Sequence, residues 1–134
     1  MSIKKNKLKI ACIQTRSKPD INKNLEKIER LINSAIKKGA KLIATPENSN
    51  IMHPNKNALL KACSNEDNDN FLSRIKSIAK NNSVWILLGS IIVKHSKNKL
   101  MNRSYLINNK GLVSAEYNKI HMFDVTLSKN ESYR

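Results

Sequence analysis

Two residues stand out by type and by position. Glu47 closes the run Ala44-Thr45-Pro46-Glu47-Asn48, and Lys119 lies in Tyr117-Asn118-Lys119-Ile120-His121-Met122-Phe123-Asp124. Each follows the C-terminal end of a segment patterned as a strand. A carboxylate and an ammonium brought together there serve as general base and electrostatic stabiliser. Neither is diagnostic alone, because a glutamate after a strand is ordinarily a solvated end residue and the chain carries 20 lysines. Other chemistries lack their residues. The three glycines, Gly39, Gly89 and Gly111, exclude GxGxxG and Walker phosphate loops, and there is no GxSxG elbow. Cys12 and Cys63 have no CxxC spacing, and no disulfide is expected. Cys12 reads as a small buried hydrophobe within a strand and Cys63 as a structural thiol in or near a short helix. His53, His95 and His121 form no metal-ligand pattern, so no metal is expected.

The elements that must position Glu47 and Lys119 are legible as hydrophobic patterns. Residues 8–14 (LKIACIQ) read as a strand with apolar groups on both faces, predicting cover on both sides. Residues 21–38 form an amphipathic helix with the stripe Ile21, Leu25, Ile28, Leu31, Ile32, Ala35 and Ile36, and Gly39 stands at its C-cap. Residues 41–45 (KLIAT) make a second strand ended by Pro46. Strand, helix and strand over about 40 residues predict a right-handed βαβ unit with parallel strands. Glu47 then falls where open α/β folds build their sites. Residues 48–57 read as a polar loop, 56–63 as a short helix, 65–70 as an acidic, Asn-rich turn, and 71–80 as a helix with Phe71, Leu72, Ile75, Ile78 and Ala79 inward. Residues 84–93 (VWILLGSIIV) predict a buried strand, and 94–99 a polar turn. Residues 100–108 and 112–117 alternate around Asn109-Lys110-Gly111 and predict a β-hairpin. Residues 118–134 read as a loop without a further element.

Length and charge bound the rest. The 134 residues suit one domain, and no apolar run reaches the roughly 20 residues of a membrane helix. The N-terminus has basic residues but no apolar stretch behind them, so no signal peptide is read and a soluble cytoplasmic protein is expected. Lys plus Arg number 25 against 10 Asp plus Glu, a net +15. That balance raises nucleic acid as a partner. Three features argue against specific binding: Lys outnumbers Arg 20 to 5, the lysines are scattered, and six aromatics supply little for base stacking.

Taken together, three features resemble the nitrilase superfamily, the carbon–nitrogen hydrolases. They are the opening strand "IACIQ" with the helix–strand run "NLEKIERLINSAIKKGAKLIATPE", the strand "LLGSIIV" followed by "MNRSYLINNKGLVSAEYNKIHMFDV", and the spacing between them. "NKIHMFDV" is similar to the branch holding deaminated glutathione amidase and omega-amidase-like enzymes. The resemblance implies the N-terminal, incomplete part of a four-layer α-β-β-α sandwich with a mixed sheet. It also implies a Glu–Lys–Cys triad acting on small linear amides without a cofactor. By position, Glu47 resembles the general base and Lys119 the lysine that stabilises the tetrahedral oxyanion. Asn48 is a candidate substrate-lining residue. His121 and Asp124 are read as holding the loop after Lys119 by hydrogen bonds. Glu131 lies near where the family often places a second glutamate, Asn102 and Arg103 are read as structural polar anchors, and Tyr117 as packing.

The resemblance places the nucleophilic cysteine on a strand after the segment 121–134, and neither Cys12 nor Cys63 matches it. The expectation is one carbon–nitrogen hydrolase domain over 1–134, truncated before the nucleophile strand and inactive alone. Its expected partners are a small-molecule amide in the intact enzyme and a second copy or a complementary C-terminal fragment, with no membrane and no specific nucleic acid. The alternatives are a non-enzymatic remnant or partner-binding chain and, more remotely, a basic nucleic-acid-binding module.

Overall fold

The computed structural model describes residues 7–120 and, beyond them, the backbone of two short strands. One mixed sheet carries five strands: β1 (Ile10–Cys12), β2 (Leu42–Ala44), β3 (Trp85–Ser96), β4 (Lys99–Ile107) and β5 (Val113–Asn118), adjacent in that order. β1, β2 and β3 are parallel, and β3, β4 and β5 antiparallel. The βαβ unit and the β4–β5 hairpin stand where the hydrophobic patterns put them.

Helix α1 (Ile21–Lys37) links β1 to β2, and α3 (Asn70–Asn82) precedes β3. Both begin on an aspartate cap: Asp20 accepts from the Lys23 amide and Asp69 from the Leu72 amide, each satisfying an otherwise orphan donor. Gly39 follows α1 with φ +84°, a conformation that suits glycine. The stripes of the two helices pack on one sheet face. Leu25, Ile28 and Ile32 of α1 and Phe71, Leu72, Ile75, Ile78 and Ala79 of α3 are buried against Ile43, Ile86, Leu88, Tyr105 and Ile107. Arg74 of α3 donates to Glu29 of α1 across the seam.

The opposite sheet face carries a row in register across all five strands: Cys12, Ala44, Leu87, Leu106 and Ala115. A second row joins Ile10, Leu42 and Trp85. Ile10, Trp85 and Leu87 remain exposed. The expected cover on both sides of 8–14 is therefore corrected: Ala11 and Ile13 pack inward, whereas Leu8, Ile10 and Cys12 are exposed. Cys12 is not a buried hydrophobe, because it stands on the face that no described helix covers. Tyr117 is likewise exposed and does not pack, and 84–93 is buried on one face only.

Three further expectations change. β3 runs on to Ser96, so the turn before β4 shrinks to Lys97 and Asn98. The segment 65–70 contains a single 3-10 turn, Glu66–Asn68, and Asn70 already belongs to α3. The segment 118–134 is not without structure: β6 (Val125–Ser128) and β7 (Glu131–Tyr133) pair antiparallel as a separate two-stranded sheet. Strands this short give too little alternation to be read from sequence.

Candidate active site

A bulge in β3 builds the floor of the site. The β3–β4 register shifts between Leu88 and Ile91, at Gly89-Ser90, so Leu88, Ile91 and Val93 all reach the helix-covered core. The bulge lies against the end of β2. The Gly89 amide donates to the Thr45 carbonyl (3.1 Å), the Ser90 amide to the Pro46 carbonyl (3.3 Å), and the Ser49 amide to the Ser90 carbonyl (2.9 Å). The Ser104 hydroxyl donates to the Gly89 carbonyl at 2.5 Å.

The loop after Glu47 is polar in sequence but buried in the fold. Ser49, Asn50 and Ile51 are almost wholly enclosed. Side chains satisfy the backbone there, as buried polar groups require. Asn50 grips β3 with both amide atoms: Nδ2 donates to the Ile92 carbonyl (2.8 Å) and Oδ1 accepts from the Ile92 amide (2.9 Å). Buried Asn24 of α1 donates to the Asn50 carbonyl (2.9 Å), and the Ser49 hydroxyl donates to the Thr45 hydroxyl (2.8 Å). Asn48 sits at φ +51°, and its amide donates to the Ser90 hydroxyl at 2.9 Å. An asparagine tolerates that left-handed backbone better than most residues.

Glu47 and Lys119 meet above this floor. Lys119 Nζ donates to Glu47 Oε1 at 2.6 Å, joining the loop after β2 to the residue after β5. The Lys119 backbone amide donates to the Asn102 carbonyl on β4 (2.9 Å). The Asn102 side-chain Nδ2 donates to Asn48 Oδ1 (2.9 Å) and Glu47 Oε1 (3.3 Å). The last residue of β5 is also held: Arg103 donates to Asn118 Oδ1 (2.6 Å) and pairs with Glu66 (2.5 Å) and Glu116 (3.4 Å). The Glu47 and Lys119 side chains are 55% and 33% exposed, and an ion pair that open contributes only about 0–1 kcal/mol.

The other candidates separate. Asn48 joins the group. His121 and Asp124 lie outside the described residues. Glu131 belongs to β7 by its backbone. Asn102 and Arg103 are anchors as read, but Asn102 touches both Glu47 and the Lys119 backbone, which no local pattern announced. Cys63 is buried at the end of α2 (Lys56–Ala62), and burial pushes its thiol up to about 11, which keeps it protonated and poorly nucleophilic. Among the described residues no group of three His, Cys, Asp or Glu side chains is placed to hold a metal ion.

Residues 9–134 match the carbon–nitrogen hydrolase family model. The chain belongs to the carbon–nitrogen hydrolase family. A nitrilase and fragile histidine triad fusion protein of Drosophila melanogaster is 32% identical over 131 residues, covering 94% of this chain and 28% of that protein. A deaminated glutathione amidase of Synechocystis is 31% identical over 126 residues, covering 92% of this chain and 45% of that protein. Among solved structures, the Caenorhabditis elegans NitFhit protein superposes with a TM-score of 0.77 at 27% identity, over 88% of this chain and 29% of that one. The NitN amidase of Nesterenkonia sp. AN1 gives 0.75 at 25% identity, over 87% and 46%. This carbon–nitrogen hydrolase chain thus spans less than half the length of these relatives. Its mixed sheet with helices on one face is the part of the nitrilase fold that they share with it.

Proposed function

We propose that this chain supplies two of the three catalytic groups of an amidase acting on small linear amides. Glu47 is the general base and Lys119 the cation that stabilises the oxyanion. The observation that carries the reading is the 2.6 Å contact between Lys119 Nζ and Glu47 Oε1, made at the strand ends of a carbon–nitrogen hydrolase fold. The third group is a cysteine thiol from outside these residues, since Cys63 is buried and Cys12 lies on the exposed sheet face. It comes from a following segment or a complementary C-terminal fragment.

The chemistry follows from those groups. Glu47 accepts the thiol proton, and the thiolate attacks the amide carbonyl carbon. Negative charge gathers on the carbonyl oxygen, where the Lys119 ammonium stabilises it. Collapse breaks the C–N bond as Glu47 returns its proton to the leaving nitrogen, releasing ammonia and leaving a thioester. Glu47 then takes a proton from water, and hydroxide attack on the thioester frees the acid and the thiol. Every step uses side-chain groups and water alone. Asn48, next to Glu47, lines the pocket. The name of the Synechocystis relative, deaminated glutathione amidase, supports an amide of that kind. A thiol nucleophile also suits the reducing cytoplasm, and no helix among the described residues is long and apolar enough to cross a membrane.

The exposed sheet face favours a second reading, a chain that acts by binding a partner. The test is ammonia release from short-chain dicarboxylic monoamides. The chain alone is expected to release none. A chimera joining residues 1–134 to the C-terminal remainder of the Synechocystis amidase is expected to release it. A folded chimera without activity would favour the binding reading.

A further inference from the structure

We infer that Asn102 is the positioning residue of the site, tying Glu47 and Lys119 to the same point of β4. The inference rests on the reading of Glu47 and Lys119 as base and cation. Asn102 is more than nine-tenths buried. Its amide nitrogen has two hydrogens and two oxygen partners, Asn48 Oδ1 at 2.9 Å and Glu47 Oε1 at 3.3 Å. Both partners are acceptors, which fixes which end of the amide faces them. Its own backbone carbonyl accepts from the Lys119 amide at 2.9 Å. One residue therefore holds the carboxylate by its side chain and the lysine by its main chain.

The rest of the arrangement supplies rigidity. Asn48 Oδ1 is a fixed partner because the Asn48 amide is bonded to the Ser90 hydroxyl in the β3 bulge. Without Asn102, Glu47 would keep only the Lys119 ammonium, a point charge on a flexible four-carbon stem. Asn102 Nδ2 and Lys119 Nζ converge on the same oxygen, Oε1, and among the described residues none donates to Oε2. Among the described residues Asn102 Oδ1 has no hydrogen-bond partner.

The side-chain ammonium resonances of the chain, labelled with 15N-lysine, test this. Lys119 is assigned through K119R. The wild-type chain is expected to show a Lys119 ammonium signal with slow water exchange and proximity to the Glu47 side chain, both lost in E47Q. N102A is expected to speed that exchange about tenfold or erase the signal, while the Ile92 amide stays protected and the remaining amide spectrum is unchanged. N48G, which suits the positive φ and leaves Asn102 in place, is expected to act in the same direction, and it decides the matter if N102A does not fold. A Lys119 signal with unchanged exchange in folded N102A or N48G would overturn the role of Asn102 and leave the base–cation reading standing. A wild-type chain without the signal would overturn the Glu47–Lys119 pair itself, and the inference with it.

Discussion

The backbone of Gly89 lies against the end of β2 so closely that a Cβ on it would stand 2.3 Å from the Thr45 carbonyl oxygen and 2.8 Å from the Pro46 carbonyl. Backbone atoms cannot swing aside as a side-chain end can. The Gly89→Ala variant must therefore separate β3 from the segment that carries Glu47. A loss of about 1–3 kcal/mol, as for other overpacked sites, is expected from urea unfolding. Gly89→Ser should lose at least as much.

Asn50 is the second tie between the Glu47 loop and β3. The Asn50→Ala variant leaves the partly buried Ile92 amide and carbonyl without their side-chain partners. The expected cost is about 1–3 kcal/mol. Native-state hydrogen exchange should show the Ile92 amide opening well before those of Ile86 and Leu88.

Much of the scaffold was legible because periodicity reports a half-buried surface directly. The stripe of α1, the five inward residues of α3 and the β4–β5 hairpin all follow from it. Glu47 was legible because Pro46 stops a strand at the end where sites form. The buried loop 49–51 was not: Ser49 and Asn50 look solvated in sequence, and only the fold brings Ile92 and Asn24 within their reach. Asn102 hid for the same reason, since its partners lie 54 and 55 residues away. Trp85 and Leu87 looked like core, but periodicity records which face is apolar and not what covers it.

Asp69 caps α3 from a buried position, and desolvation raises its carboxyl above the ordinary value despite hydrogen bonds from the Leu72 and Phe71 amides. A carboxyl raised on folding favours the folded state fully below its unfolded pKa of about 3.9. That advantage is lost as pH rises through the folded value. Asp69→Asn keeps an amide oxygen for the cap and carries no charge. It should gain on the wild type as pH rises from 3 to 7, and match or exceed it at neutrality. Asp69→Ala should lose about 1 kcal/mol at pH 3, since the cap itself is gone, and less at pH 7, where it too is spared the buried charge. Denaturant titrations at several pH values check both.

The two thiols should label differently. Cys12 is exposed and Cys63 buried, with its thiol raised to about 11. Iodoacetamide at pH 8 is expected to alkylate the native chain once, at Cys12, and the unfolded chain twice, as mass spectrometry would resolve. Rapid native labelling of Cys63 would contradict its burial.

The base–cation assignment meets its most direct measurement in the steady-state kinetics of the chimera, with Glu47→Gln and Lys119→Ala introduced singly. Each is expected to lower kcat by about 10²–10⁴, as loss of a general base or an oxyanion donor does, while thermal unfolding stays close to that of the parent chimera. Ammonia release undiminished by either substitution would contradict it.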